Sequence, residues 1–201
     1  MIALVDYGAG NLTSVRKALS ALGAEYTTPA TPGELNGARA VIVPGVGHFA
    51  ATSALDEPWR EAIGGAARAG TPLFGICVGM QWLFEGSDEA PGVAGLGVMQ
   101  GQIARLEGNA DERLKVPHVG WNALDFTRPA RLLSGLDSGA QVYFTHSYAA
   151  PVTPECVAAT THANTFASAV ERDNIFGVQF HPEKSGDAGL QILRNFLEIC
   201  R

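Results

Sequence analysis

The chain has 201 residues, of which 46% are hydrophobic and 17% charged, and its formal net charge is −6. This length suits one domain, residues 1–201, and the apolar fraction excludes a disordered chain. Because the chain is acidic and has no long basic run, we expect no nucleic-acid partner.

The cysteines and the N-terminal residues predict the compartment. The three cysteines, Cys77, Cys156 and Cys200, are odd in number and widely spaced, which favours a reducing cytoplasm over a disulfide framework. Asp6 lies near the start and no basic segment precedes it, so we expect no signal peptide. Since no apolar run approaches the roughly 20 residues that cross a bilayer, we also expect no membrane association.

The first half of the chain alternates short apolar strands with helices. Apolar runs predict buried strands at residues 2–7, 40–43 and 73–76. The spacing of apolar residues predicts helices at residues 12–22, 59–69 and 80–84. Strands and helices that alternate in this way indicate an α/β fold with a mainly parallel sheet.

After about Gly92 the pattern changes to one typical of antiparallel strands. Strands are predicted at residues 98–106, 123–126, 142–148, 157–161, 166–171 and 176–180. Asp173-Asn174 is a hairpin signal between the last two of them. Residues 186–200 then predict a closing amphipathic helix, because their apolar residues fall on one face.

The segment Gly75-Ile76-Cys77-Val78-Gly79 has the pattern of a nucleophile elbow, with cysteine in the nucleophile position. A sharp turn from strand to helix exposes the sulfur, and glycines two residues to either side let neighbouring backbone pass without a Cβ clash. The N–H groups at the start of the following helix favour a thiolate. On this pattern alone, a buried structural cysteine is an equally good interpretation.

The segment Phe180-His181-Pro182-Glu183 follows the last predicted strand. In an extended stretch, His181 and Glu183 can lie on one side of the chain, and Pro182 favours that conformation. A carboxylate beside an imidazole fixes its tautomer and stabilises the imidazolium that forms when it accepts a thiol proton. An isolated pair of this kind is also common on protein surfaces, and that alternative stays open here.

Pro44-Gly45-Val46-Gly47 ends a different apolar strand. The carboxyl ends of parallel strands meet at one edge of a sheet, where ligands bind. The N–H of Val46 could therefore join that of Val78 to form an oxyanion hole, although an ordinary tight turn fits the same residues. Because Val46 lies between two glycines, its peptide can turn over at modest steric cost.

Other chemistries fit poorly. Gly8-Ala9-Gly10 lacks the third glycine of a dinucleotide-binding fingerprint, since Thr13 stands there, and no P-loop lysine motif occurs. A zinc deaminase would need a Cys-x-x-Cys pair after its His-x-Glu, and the chain has none. We therefore expect neither a metal nor a cofactor.

Together these motifs resemble the class I (triad) glutamine amidotransferases in order and approximate spacing. Within that family, four stretches resemble the glutaminase subunits of imidazole glycerol phosphate synthases, namely residues 6–12, 44–49, 117–122 and 143–148. The resemblance runs nearly from end to end. It implies a three-layer, flavodoxin-like α/β fold whose central sheet is mixed and mainly parallel, with added antiparallel strands.

The resemblance also implies the roles of residues. Cys77 would attack the side-chain amide carbon of glutamine to give a thioester and ammonia, His181 would move the proton, and Glu183 would orient His181. Water would then release glutamate. The residues that would hold the substrate are Gly47, Gln81, Glu89 and Ser147.

In the family, ammonia passes to a separate cyclase of the (β/α)8-barrel type, with which the glutaminase forms a heterodimer. The cyclase makes imidazole glycerol phosphate and an aminoimidazole carboxamide ribotide in histidine biosynthesis. The residues at or near that interface would be Asn11, His118, Trp121, Asn122 and Lys184. From its neighbours alone, Trp121 fits a core tryptophan equally well.

Two further functions remain open from the sequence. One is a stand-alone thiol hydrolase of the same fold, such as a peptidase or γ-glutamyl hydrolase. The other is an inactive elbow fold that serves as a binding module. The complete set of Cys77, His181 and Glu183 favours an enzyme over the binding module.

Overall fold

The computed structural model describes residues 1–108 and 115–201. The helices are α1 (Leu12–Ala21), α2 (Glu57–Arg68), α3 (Val78–Trp82) and α4 (Gly186–Ile199). The strands are β1 (Ile2–Leu4), β2 (Tyr26–Thr27), β3 (Ala40–Gly45), β4 (Leu73–Cys77), β5 (Gly86–Ser87), β6 (Gln102–Arg105), β7 (His118–Ala123), β8 (Asp125–Phe126), β9 (Gln141–His146), β10 (Tyr148–Ala149), β11 (Cys156–His162), β12 (Asn164–Arg172) and β13 (Ile175–Val178). Among these described helices, none has both the length and the apolar character needed to cross a membrane.

Within residues 1–108 and 115–201, eight strands form the central sheet in the order β2-β1-β3-β4-β13-β12-β11-β8. The first five are parallel to one another, and β12, β11 and β8 continue the sheet in antiparallel pairs. Two small sheets, β10-β6-β5 and β7-β9, accompany it. The prediction of a mixed, mainly parallel sheet with added antiparallel strands is confirmed.

Helices cover both faces of the central sheet and give three layers. On one face, Leu19 of α1 and Phe196 of α4 belong to a core cluster that includes Phe74 of β4. On the other face, Ile63 of α2 and Trp82 of α3 pack in a second cluster. Strand β4 is buried throughout because it is covered on both faces, which explains its uninterrupted apolar sequence.

The carboxyl ends of the parallel strands bring distant segments to one edge. Gly45, at the end of β3, pairs in register with Cys77, at the end of β4. Val178, at the end of β13, pairs with Ile76, so the residues that follow β13 reach the same edge. The turn after β1 also lies there. The loops that the sequence singled out therefore meet because of strand order.

Several element boundaries differ from the predictions. The strand predicted at residues 98–106 is limited to β6, because the backbone before it bends and is irregular. The strand predicted at residues 142–148 divides at Ser147 into β9 and β10. Strand β7 was not predicted, because its sequence lacks a regular apolar alternation. Its backbone is also irregular, since Gly120 has a φ of +136°. Trp121 on β7 is 56% exposed, so the core interpretation of this residue was wrong.

Candidate active site

Cys77 occupies a strained turn between β4 and α3. Its φ is +54° and its ψ −111°, a backbone conformation that side chains rarely adopt, and Val78 begins the helix directly after it. A Cβ on Gly79 would lie well under 3.0 Å from the carbonyl oxygen of Val43, and one on Gly75 would lie 2.6 Å from that of Gly79. The elbow geometry predicted for this segment, with its flanking glycines, is confirmed.

His181 and Glu183 form a buried pair just beyond β13. The imidazole Nδ1 lies 2.9 Å from Oε1 of Glu183, and the two side chains are 1% and 2% exposed. Pro182 begins a 3-10 turn, Pro182–Lys184, that places the carboxylate back against the ring. The alternative of a surface His–Glu pair was therefore wrong, because both groups are shielded from water.

The contacts of His181 favour its protonated form. Burial alone would lower the pKa of His181, but the interactions with Cys77 and Glu183 together outweigh burial and raise this pKa above its ordinary value of 6.5. The other ring nitrogen, Nε2, is buried and has no acceptor or donor in hydrogen-bond geometry among the described residues. This nitrogen is therefore available to exchange a proton with the Cys77 sulfur and with a bound substrate.

A cavity of about 480 Å³ opens above the elbow, within the usual range for small-molecule sites. Glu183 lies behind His181 and does not line it. The predicted site residues that do line it are Asn11, Val46, Gly47, Cys77, Val78, Gln81, Glu89, Ser147, His181 and Lys184. The structure thus brings the triad, the oxyanion loop and the predicted substrate contacts together, while their roles stay predictions.

The two predicted oxyanion donors differ in availability. The N–H of Val46 donates to the carbonyl oxygen of Ala9 at 3.2 Å, so it is occupied within the protein. The N–H of Val78 lies in the first turn of α3, where helical N–H groups have no acceptor within the helix. Gly47 follows in a left-handed conformation, with φ +90°. In this structure one of the two donors must be released before an oxyanion could bind both.

Two of the residues predicted to contact the substrate already form hydrogen bonds within the protein. The carboxylate of Glu89 accepts the N–H of Phe49 at 2.8 Å through Oε2, which leaves Oε1 for a substrate ammonium. The side-chain nitrogen of Gln81 donates to the carbonyl oxygen of Tyr148 at 2.8 Å and to Oε1 of Gln179 at 3.1 Å. Both amide hydrogens of Gln81 are thus used, and only its oxygen can face a ligand.

The sequence reasoning missed two residues beside Cys77. Gln179 is fully buried, and its Nε2 lies 3.7 Å from Sγ of Cys77. Its position two residues before His181 on an extended segment was an available signal, because alternate residues share a side. The Tyr7 hydroxyl is buried without a hydrogen-bond partner among the described residues, close against Gly45. Burial and the nearby sulfur raise the pKa of Tyr7, so its hydroxyl stays protonated.

The predicted interface residues fall into two groups. Asn11 and Lys184 lie on the cavity wall, and the Lys184 ammonium sits 5.9 Å from the ring centre of Tyr143. On β7, Trp121 projects into solvent, whereas His118 is only 3% exposed and lies behind the strand. The side chain of Asn122 bridges to His118, at 3.3 Å, and to the carbonyl oxygen of Thr161, at 3.2 Å.

Comparison with known proteins agrees with this geometry. Residues 3–200 match the family model described as glutamine amidotransferase class-I. The chain is 46% identical to the imidazole glycerol phosphate synthase subunit HisH of Moorella thermoacetica, and the alignment covers 100% of this chain and 95% of that protein. It is 45% identical to the subunit of the same name from Thermococcus kodakarensis, over 99% of this chain and 100% of that protein.

Solved structures share the fold at lower identity. A crystal structure of a glutamine amidotransferase matches with a TM-score of 0.76 at 20% identity, and the match covers 100% of this chain and 99% of that one. The structure of PurLQS from Thermotoga maritima also gives 0.76, at 18% identity, with 100% and 98% covered. The chain therefore belongs to the class-I glutamine amidotransferase family, in the group of imidazole glycerol phosphate synthase HisH subunits.

Proposed function

We propose that this chain is the glutaminase subunit of an imidazole glycerol phosphate synthase, which hydrolyses glutamine to glutamate and ammonia. The observation that carries the proposal is the cavity in which Cys77, at a strained elbow, faces His181, itself backed by the buried Glu183. Relatives of 44–46% identity that bear this subunit name support it.

In the first half of the proposed reaction, Cys77 gives up its proton to Nε2 of His181 and attacks the amide carbon of glutamine. A carbon–sulfur bond forms and the carbonyl electron pair moves onto oxygen, where the N–H groups of Val46 and Val78 stabilise it. The intermediate collapses as the carbon–nitrogen bond breaks. His181 donates its proton to the leaving nitrogen, which departs as ammonia.

In the second half, water attacks the thioester carbon while His181 accepts one of its protons. The second oxyanion collapses with cleavage of the carbon–sulfur bond, and glutamate leaves. The sulfur departs as thiolate, which the imidazolium stabilises. The Glu183 carboxylate accepts from Nδ1 of His181 and keeps this nitrogen protonated, so that Nε2 is always the nitrogen that faces the reaction.

The proposed partner is a cyclase subunit of the (β/α)8-barrel type, joined to this chain as a heterodimer. It would receive the ammonia and form imidazole glycerol phosphate and the aminoimidazole carboxamide ribotide. The exposed Val119 and Trp121 of β7 form an apolar surface that could be covered by such a subunit. The ring of Trp121 packs edge-on against Tyr143, whose ring Lys184 also approaches, and Lys184 lines the cavity.

Partner binding is proposed to activate the site through the loop after β3. While the Val46 N–H donates to Ala9, the oxyanion hole lacks one donor. Rotation of the Gly45–Val46 peptide would break this bond and direct the N–H to the cavity. Loss of one oxyanion donor typically costs a factor of about 10²–10³ in turnover, so this single peptide can account for a large stimulation.

Gly47→Ala tests the loop. Alanine disfavours the φ of +90° by about 1–2 kcal/mol, although space around the position is open. We expect it to destabilise the resting loop, to raise glutamine hydrolysis without the partner, and to reduce the partner's stimulation by about tenfold. The measurement is glutamate release with and without the cyclase.

Gly37→Ala is the matched control for this variant. Gly37 has a φ of +81° and open space around it, so the substitution carries the same strain far from the loop. The ratio of stimulated to unstimulated hydrolysis should stay at the value of the unsubstituted chain. An unchanged ratio in Gly47→Ala as well would show that the loop does not control the reaction.

Glu183→Gln tests the triad. The change removes the charge that stabilises the imidazolium, lowers the pKa of His181, and lets an amide N–H face Nδ1, which favours the wrong tautomer. We expect turnover to fall by about 10²–10⁴ with little change in KM, measured by steady-state kinetics with the partner present. Glu171→Gln, which removes a buried carboxylate bound to Arg131, should lower the melting temperature but not turnover.

The proposed function is tested by incubating the chain with glutamine, with and without the barrel cyclase, and measuring glutamate. We expect slow hydrolysis that the partner accelerates. Equally rapid hydrolysis by the chain alone would favour a stand-alone thiol hydrolase. If a glutamine-analogue electrophile did not label Cys77 in preference to Cys156 and Cys200, even with the partner present, the chain would be a binding module.

A further inference from the structure

Gln179 contacts Cys77, and its neighbours determine which end of its side-chain amide faces the sulfur. Its side chain is 0% exposed, with Nε2 3.7 Å from Sγ of Cys77 and Oε1 3.1 Å from Nε2 of Gln81. An amide has a donor end and an acceptor end of nearly the same shape. Which end faces the sulfur therefore depends on the groups that bind the other end.

The carbonyl oxygen of Tyr148 fixes the first of these directions. A carbonyl can only accept, so the group of Gln81 that lies 2.8 Å from it must be the amide nitrogen. The same nitrogen approaches Gln179, which must present its oxygen in return. The nitrogen of Gln179 is then the atom that faces Cys77, and its N–H points at the sulfur.

A second series of hydrogen bonds begins on β7 and ends at the carbonyl oxygen of Tyr148. Burial, and then the charges of neighbouring histidines, lower the pKa of His118 to about 3 and that of His146 to about 4, so both rings are neutral near pH 7. His146 donates from Nδ1 to Tyr148 at 2.9 Å, which makes its Nε2 an acceptor for Nδ1 of His118 at 3.1 Å. Nε2 of His118 accepts from Asn122. Every bond thus has one possible direction.

We propose that Gln179 is a further catalytic residue, which donates its amide N–H to Sγ of Cys77 and stabilises the thiolate, while Gln81 is a positioning residue that keeps the Gln179 amide in this direction. The proposal rests on the proposed function, in which Cys77 is the nucleophile. An N–H donor binds an anionic sulfur more strongly than a neutral thiol, so the contact lowers the energy of the attacking form.

Gln179 contributes something that the titratable groups cannot. The titratable side chains that act on the sulfur from other elements are His181 and Tyr7. The other titratable residues that line the same cavity are Glu89, His146, Tyr148 and Lys184. The charge of His181 changes as it receives and donates the proton during the reaction. The Gln179 amide stays neutral and fixed, so it supports the thiolate both before attack and when the thioester breaks.

Two substitutions separate a catalytic role of Gln179 from a structural one. Gln179→Glu keeps the side-chain size and the oxygen that binds Gln81, but it replaces the donor to the sulfur with a carboxylate oxygen. Gln179→Met removes both hydrogen bonds at similar length. If Gln179 served only as the hydrogen-bond acceptor of Gln81, Gln179→Glu would affect the reactivity of Cys77 less than Gln179→Met. If Gln179 stabilises the thiolate, Gln179→Glu reduces the reactivity of Cys77 more than Gln179→Met does.

The readout is the pH dependence of alkylation of Cys77 by iodoacetamide, followed by peptide mass spectrometry on the full chain, with Cys156 and Cys200 as internal references. We expect the midpoint to rise by about one pH unit in Gln179→Met and by more in Gln179→Glu. Below the midpoint, alkylation should slow about tenfold for each pH unit of this rise. Turnover should fall with little change in KM. Gln191→Glu, which alters an amide bound to Asn195 on α4, should leave the midpoint and turnover unchanged.

A measurement on the unsubstituted chain covers the case in which a variant does not fold. The side-chain amide signals of Gln179 in a nitrogen-15 spectrum should shift with the same pH midpoint as alkylation, and Cys77→Ala should abolish that shift. Amide signals that do not follow the ionisation of Cys77 would overturn the proposal. So would a folded Gln179→Glu variant in which the alkylation midpoint of Cys77 equals that of the unsubstituted chain.

These failures differ from failure of the proposed function. If Cys77→Ala still hydrolyses glutamine, then Cys77 is not the nucleophile and the function itself is wrong. If Cys77→Ala is inactive while Gln179→Glu keeps the original midpoint and turnover, the function holds and only the role of Gln179 falls.

Discussion

Cys77→Ala is expected to reduce glutamine hydrolysis by about 10⁴–10⁶-fold, while synthesis driven by added ammonia continues in the partner cyclase. The substitution removes the sulfur that is proposed to bond to the substrate, and neither water nor a neighbouring side chain can replace it at the elbow. Alanine retains the Cβ, so the turn between β4 and α3 keeps its shape. The measurements are glutamate release and ammonia-dependent product formation by the complex.

Cys156→Ala and Cys200→Ala are the controls for this loss. Both cysteines are buried, and their thiols donate to the carbonyl oxygens of Ala158 and Phe196 respectively. Removing either thiol should lower stability without changing turnover. Loss of both glutamine-driven and ammonia-driven synthesis in a folded, partner-bound Cys77→Ala variant would contradict the assigned role.

Gly79→Ala is expected to destabilise the fold by about 3–5 kcal/mol, a large effect for one methyl group. The added Cβ would overlap the carbonyl oxygen of Val43, an atom of β3 that is held in the central sheet. Because both sides of this contact are backbone, neither can move without displacing β3 or α3. Urea-induced unfolding followed by circular dichroism would measure the change.

Gly65→Ala provides the opposite expectation within the same chain. Gly65 lies in α2, and the nearest atom to a new Cβ is the flexible end of Arg68, at 3.9 Å. Alanine is the better helix former, so this variant should gain about 0.5–1 kcal/mol. If both substitutions gave similar unfolding midpoints, close packing at the elbow would not be the reason for Gly79.

Much of the fold could be predicted because its signals are local. The apolar runs of the parallel strands, the spacing of apolar residues in α1 and α4, and the turn at Asp173-Asn174 each lie within a few residues. The elbow around Cys77 and the pairing of His181 with Glu183 are equally local. The meeting of these loops at one edge could be predicted as well, because the carboxyl ends of parallel strands gather there in α/β sheets.

The remaining features depend on partners that are distant in the chain. Gln179 gains its direction from Gln81 and Tyr148, which lie far from it in sequence. Burial of His118 requires β9 to pair with β7, a strand whose own sequence gave no regular pattern. The resting orientation of the Val46 peptide depends on the carbonyl oxygen of Ala9, and a backbone rotation leaves no mark in the identity of a side chain.

The glycines packed around Cys77 also decide how this site could be engineered. A Cβ on Gly45, Gly75, Gly79 or Gly177 would come closer than 3.0 Å to a neighbouring atom. Directed evolution towards a larger acyl substrate therefore gains little by randomising these positions, because any added side chain must displace a neighbouring atom. Useful diversity lies at the cavity wall, at residues such as Asn11 and Ser147, where new side chains can reshape the binding volume while Cys77 stays in place.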